Sequence, residues 1–182
     1  MSQNFLTDLV DRFTPLEASL NKLDAATGDG DHGTTMLRGL RAAATADEPV
    51  AKAFRMAAGG ASGSLFGVLI GAIESVNSLV SLGNALTKAA DRIAQMGQAK
   101  AGDKTMLDAL IPAANAALAD PDDAAAAAAK AAQAGVVATK EMIAKRGRAK
   151  YVEGGGAGHI DAGATSVAEI LTALEQHSRG TS

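Results

Sequence analysis

Apolar residues recur every three or four positions along almost the whole chain, and no window of strand length shows strict alternation. That spacing is the period of an α-helix, so the sequence predicts an all-α domain of antiparallel helices with short connections. Phe5, Leu9, Phe13, Leu16, Leu20 and Leu23 form the stripe of a first helix. Further helices are predicted over about Thr34 to Ala44, over about Pro49 to Ala58, and from the GGASGS turn through Leu65, Leu69, Ile73 and Val76. A fifth carries Leu86, Ala89, Ile93 and Met96 and ends near Gly97. A sixth is expected to start with Asp103 as its N-cap and to kink at Pro112. The alanine-rich seventh starts at Asp120 and Pro121, and Lys145, Arg146 and Gly147 mark its expected end. The last has Val167, Ile170, Leu171 and Leu174 on one stripe, before a polar tail, EQHSRGTS, expected to fray. About eight helices result, in a single domain over residues 1–182.

Aromatic residues make up only 3% of the chain, so the core is expected to be built from Ala, Leu, Val, Ile and Met. Small side chains bring helices close together. Gly63, Gly67 and Gly71, four positions apart, give the fourth helix a ridge that a neighbouring backbone can approach. Met56 to Ile73 carries no charge, but it holds five Gly and two Ser and barely reaches spanning length, so a buried helix is expected instead of a membrane span. A net charge of −3 argues against nucleic acid or an anionic membrane as a partner recognised by bulk charge. The chain has no Cys, which removes disulfide, thiol and thiolate-metal chemistry and points to a reducing cytoplasm. The N-terminus lacks the basic and apolar regions of a signal peptide.

The stretch LDAATGDGDHGTTM gathers Asp24, Asp29 and Asp31 on a segment loosened by Gly28, Gly30 and Gly33. Carboxylates brought to ~4 Å repel by ~4 kcal/mol at an effective dielectric of 20, and no Lys or Arg lies between Lys22 and Arg38 to offset this. A hard divalent cation is the better counter-charge. Counted from Asp29, an EF-hand would need Gly where Thr34 stands and Glu where Leu40 stands, so calcium-loop geometry fails. Mg²⁺, which keeps waters and shares carboxylates with substrate phosphates, fits better. The GGASGS turn, Gly59 to Ser64, opens a helix whose free N–H groups and Ser62 hydroxyl suit an anion. Gly97 to Thr105 reads G-x-x-x-x-G-D-K-T, one residue too long for a Walker A loop and preceded by a helix. Three scattered histidines give no zinc spacing, and neither a nucleophile elbow nor a dinucleotide fingerprint is present.

Together, LDAATGDGDHGTTM, GGASGSLFG, AGDKTMLDAL and GRAKYVEGGGAGHIDAGATS resemble the L subunit of dihydroxyacetone kinases, the DhaL-type nucleotide-binding domain. The resemblance runs from about Leu23 to about Leu174 and implies a barrel of eight antiparallel helices with the nucleotide at one end. It implies that Asp24, Asp29 and Asp31 bind two Mg²⁺ ions that grip the phosphates of ATP or ADP. Nucleotide-lining positions would fall on His32, Gly33, Thr34 and Thr35, and phosphate contacts on Ala61 and Ser62. Gly97, Met106, Arg148, Asp161, Ala162 and Gly163 would face the nucleoside. The family transfers phosphoryl to a short-chain ketose held by a separate K subunit, and no general base is evident on this chain. The donor is exchanging ATP or a bound ADP rephosphorylated by a phosphotransferase-system phosphocarrier, and the acceptor is dihydroxyacetone or a related ketose such as erythrulose. Self-association of the chain is compatible with this reading. A stand-alone Mg²⁺-dependent phosphohydrolase and a non-catalytic regulatory module are the competing readings. In its last motif the chain departs from the family: Lys150 replaces Ser, Glu153 to Gly156 replace G-E-R-S, and Ala162 replaces Pro. The lid over the nucleotide is thus expected to lose an arginine and gain flexibility.

Overall fold

A computed structural model describes residues 3–77 and 79–180. Among the described residues there are nine α-helices and no strand: α1 (Gln3–Phe13), α2 (Glu17–Ala25), α3 (His32–Thr45), α4 (Val50–Ala58), α5 (Gly60–Glu74), α6 (Leu82–Gly97), α7 (Leu107–Ala119), α8 (Ala124–Ala138) and α9 (Ala162–Gly180). The count exceeds the expected eight because the first stripe is broken. Pro15 has no N–H to donate and disfavours helix at the preceding residue, so the chain turns between α1 and α2. Leu9, Phe13 and Leu20 still reach one core.

Packing closes the helices into a ring. α1 packs on α3, each helix from α3 to α8 packs on the next, α8 packs on α9, and α9 returns to α1, while α2 rests on α3 and α9. Leu, Ile and Ala dominate the interior, and Phe5, Phe13, Phe54 and Phe66 are buried among them, so aromatics contribute despite their scarcity. Met96, expected on the buried face of α6, is instead 44% exposed.

Glycine sets the closest approaches. A Cβ at Gly63 would lie 2.9 Å from the Arg55 carbonyl oxygen and one at Gly67 3.3 Å from that of Ala51, so the ridge predicted on α5 receives α4. α7 and α8 meet still more tightly: a Cβ at Gly135 would lie 2.2 Å from the Asp108 carbonyl oxygen. That carbonyl is the one Pro112 leaves without its usual helical donor, and α7 continues through the proline.

Three further boundaries differ from expectation. Asp103 does not cap α7; its carboxylate accepts from the Lys100 N–H at 3.0 Å, and Asp108, in the first turn, accepts from Gly102 and Thr105 at 2.5 and 2.8 Å. α8 ends at Ala138 rather than near Gly147, because the Thr139 carbonyl is taken by the Met142 N–H and by Lys104 Nζ. The final segment is helical through Gly180. Arg12 bonds Glu169 at 2.7 Å and Gln176 at 3.1 Å, and His177 bonds Asp8 at 2.8 Å, which ties it to α1. No described helix is long and apolar enough to cross a membrane.

Candidate functional site

The connections entering α3, α5, α7 and α9 converge at one end of the ring around a cavity of about 530 Å³. Each glycine-rich segment singled out in the sequence contributes to its wall. The first is built on Asp24, at the end of α2. One of its carboxylate oxygens accepts from the N–H groups of Gly30, Asp31 and His32 at 2.9, 3.0 and 3.3 Å, which folds the loop back over the helix end. A Cβ at Gly28 would lie 2.5 Å from the other oxygen, so a larger residue there would displace the carboxylate. The loop brings ligand atoms of Asp24, Asp29 and Asp31 within 4.8 Å of one another. Three carboxylates at that separation fit a divalent cation with oxygen ligands.

A cation of the protein already meets them. Arg148, carried by the 3₁₀ turn Arg148–Tyr151, pairs with Asp29, and this guanidinium holds the Asp29 carboxyl below its usual pKa. The counter-charge missing between Lys22 and Arg38 is thus supplied from far along the chain.

His32 opens α3, but its buried ring is engaged: Nε2 lies 2.8 Å from Ser166 Oγ and the ring rests on Phe66. Burial lowers its pKa, so the imidazole is neutral near pH 7. Thr35 lies on the cavity wall, as do Ala61 and Ser62 beyond the left-handed Gly59 and Gly60. Gly97, Met106, Arg148, Asp161 and Gly163 complete the predicted positions that the fold gathers.

Three predicted positions lie off that wall. Gly33 is a packing residue, since a Cβ there would sit 2.2 Å from the Glu17 carbonyl oxygen. Thr34 turns toward α2, with its hydroxyl bonded to Glu17 and Asn21 at 2.8 and 2.9 Å. Ala162 is buried in the first turn of α9.

Arg38 and Lys104, which are not among the predicted positions, also lie on the cavity wall. Arg38 donates to the carbonyls of Ala57 and Ala58, both at 2.8 Å, and so fixes the chain entering the Gly59–Gly60 turn. Lys104 is 2% exposed, and its ammonium donates to the carbonyls of Thr139 and His159, each at 2.5 Å. Asp161 caps α9 by accepting from the Ala164 N–H at 2.7 Å; desolvation pushes its pKa up to about 6 against that bond and the nearby Lys104 charge. The Gly154–Gly156 stretch, expected to loosen the lid, takes left-handed backbone at all three glycines and buries two. A Cβ at Gly156 would lie 2.5 Å from Thr27 Cγ2, so glycine here permits contact with the aspartate loop.

Residues 26–176 match the DAK2 domain family. The chain belongs to that family. Its similarity to the ADP-binding subunit DhaL of PEP-dependent dihydroxyacetone kinase 1 from Listeria innocua is 35% identity, over 94% of this chain and 93% of the relative. The corresponding Escherichia coli subunit is 32% identical, with 94% and 93% covered. An L-erythrulose 1-kinase of Mycolicibacterium smegmatis is 34% identical over 88% of this chain, and there the DAK2 chain spans only 32% of the longer protein. Among solved structures, the dihydroxyacetone kinase of C. freundii in complex with AMP-PNP and Mg²⁺ superposes with a TM-score of 0.75 at 28% identity, covering 96% of this chain and 33% of that one. The DAK2 fold is therefore found both as a separate subunit and as about a third of a larger kinase.

Proposed function

We propose that this DAK2 chain is the nucleotide-binding subunit of a short-chain ketose kinase, holding Mg-ATP or Mg-ADP in the cavity between the aspartate loop and the Gly59–Gly60 turn. The observation that carries the reading is that the three clustered carboxylates and the glycine turn at a helix start share one wall. Similarity to ADP-binding subunits, and to a kinase seen with AMP-PNP and Mg²⁺, supports the same ligand.

Asp24, Asp29 and Asp31 would hold Mg²⁺, two ions in this reading, which supplies charge neutralisation along the phosphates. Ala61 and Ser62 receive phosphate oxygens through the N-terminus of α5. Arg148 moves its charge from Asp29 to the phosphates, and the nucleoside lies against Gly97, Met106, Asp161 and Gly163. In transfer, the bond from the terminal phosphorus to the nucleotide's bridging oxygen breaks and one to a ketose hydroxyl forms. The chain's own contribution is positioning and charge, because His32 is buried, neutral and committed to Ser166. The acceptor sugar and the base belong to a separate sugar-binding K subunit, and the donor is ATP or an ADP recharged by a phosphocarrier.

The test is to incubate the purified chain with Mg-ATP, alone and with a sugar-loaded K subunit. The expected result is negligible phosphate release alone and sugar phosphorylation with the partner. Rapid partner-free hydrolysis would overturn the reading in favour of a phosphohydrolase.

A further inference from the structure

Residues 139–161 leave α8, cross the mouth of the cavity with Arg148 on their path, and return to α9. The segment contains only short 3₁₀ turns, and Tyr151 and Ile143 on it are exposed. Its two arms meet in bonds from the Ala144 N–H to the Gly155 carbonyl and from the Gly158 N–H to the Lys140 carbonyl, at 2.9 and 2.8 Å, and the rest of its support comes from outside. Two buried charged residues outside it meet it: Asp103, 3.9 Å from Lys145 Nζ, and Lys104. The lysine sits in left-handed backbone, φ 58°, which a non-glycine residue adopts only when its surroundings demand it. Its stem runs beside Gly156, where a Cβ would lie 3.4 Å from Cε. Its ammonium then binds Thr139 O and His159 O, the two ends of the strap.

Around that ammonium the polar groups are interlocked. Thr139 is fully buried, and its hydroxyl donates to the Val136 carbonyl at 2.6 Å and accepts from the Asp161 N–H at 3.0 Å. The Lys104 connection also accepts the Lys145 N–H at the Asp103 carbonyl, and Arg146 donates to the Gln98 carbonyl. Thr139 Oγ1 and the bond from the Gly158 N–H to the Lys140 carbonyl also link the two arms, and Lys104 is the cation that binds a carbonyl at each end. Hydrogen bonds from a charged donor in a buried setting are the strong ones, and removing that donor takes a partner from the buried Thr139 carbonyl and from the part-buried His159 carbonyl.

We infer that Lys104 is a positioning residue: it clamps the two ends of the 139–161 strap and thereby holds Arg148 over the aspartate cluster and Asp161 at the nucleoside end of the cavity. Its consequence for ligand binding rests on the proposed nucleotide site; its consequence for the strap does not. Lys104 acts on the residence time of a bound nucleotide. Encounter depends on the open wall made by the aspartate loop and the Gly59–Gly60 turn, whereas the Lys104 ammonium bonds to Thr139 and His159.

The experiment compares wild type, Lys104→Met, which keeps the stem and the backbone strain, and Lys104→Gln, which keeps N–H donors. Amide exchange on the ligand-free proteins is read first. In Lys104→Met, exchange across 140–160 should rise by ~10-fold or more while α3, α6 and α7 keep wild-type protection; Lys104→Gln should recover part of it. Stopped-flow with a fluescent Mg-ATP analogue is read second. Dissociation should quicken ~10-fold with association within ~2-fold of wild type. Unchanged strap exchange, or a rise spread evenly over all helices, overturns the proposal. Should Lys104→Met not fold, Lys104→Gln decides alone: a partial rise in exchange confined to the strap supports the clamp, and unchanged exchange overturns it. If the wild type binds no nucleotide analogue, the functional reading falls, and the exchange data still decide the clamp.

Discussion

The α7–α8 wall and the loop end of the ring are held by opposite means. At the wall, backbone lies almost on backbone: Gly135 admits the Asp108 carbonyl, and Ala109, Ala113, Ala128 and Ala132 are all buried with little side chain between them. At the loop end, charge organises the backbone: Asp24 gathers three N–H groups, Asp161 caps α9 and Lys104 clamps two carbonyls. The wall has no room to change and no chemistry to offer. Substitutions in the first region should therefore report on folding and those in the second on ligand, with Asp24 at the junction.

The largest effect should come from the wall. Gly135→Val puts a branched side chain where even a Cβ meets backbone at 2.2 Å, and is expected to cost more than ~3 kcal/mol in urea unfolding. Gly97→Ala, at the cavity rim with its nearest neighbour 3.7 Å from the added Cβ, should leave stability within ~0.5 kcal/mol. Comparable losses at both positions would erase the contrast. At the junction, Asp24→Ala removes the acceptor of three N–H groups, so it should lower stability by ~1–3 kcal/mol as well as abolish metal binding.

Asp161 sharpens the contrast through pH. Its pKa is raised to about 6 from an ordinary value of 3.8, so the unfolded state ionises first and folded stability falls as pH rises from about 4 through 6. Asp161→Asn keeps an acceptor for Ala164 and removes that cost. The variant should melt higher than wild type at pH 7.5, by ~2–6 °C, and the advantage should vanish near pH 4. A gain that is the same at both values would place the effect elsewhere than in ionisation.

Much of the helical ring was legible from the sequence. The period of Leu86, Ala89 and Ile93 and the ridge of Gly63, Gly67 and Gly71 are local patterns, and local patterns set which face is buried. Boundaries were less so. Pro15 ended a stripe that periodicity alone continued, and α8 stopped short because Lys104, far along the chain from Thr139, took part in its carbonyl bonding. The same limit applies at the site. The convergence of Asp24, Asp29 and Asp31 follows from short spacing and three glycines, but the Asp29–Arg148 pair joins segments that no spacing relates. Thr34 shows the reverse: the family resemblance put it beside His32 on the nucleotide, whereas two steps of about 100° around α3 turn its hydroxyl toward Glu17 and Asn21.

The central claim is that the carboxylate cluster binds a divalent cation together with a nucleotide. Calorimetric titration of ADP or ATP into wild type and Asp29→Asn, each with Mg²⁺ and with EDTA, tests it most directly. Asp29 is exposed and makes no bond that holds the loop to α2, so the variant should retain the wild-type fold. The account predicts nucleotide binding to wild type only with Mg²⁺, and affinity at least ~10-fold weaker in Asp29→Asn, a change of ~1.4 kcal/mol. Equal affinity with Mg²⁺ and with EDTA, or an unaltered affinity in the variant, would contradict it.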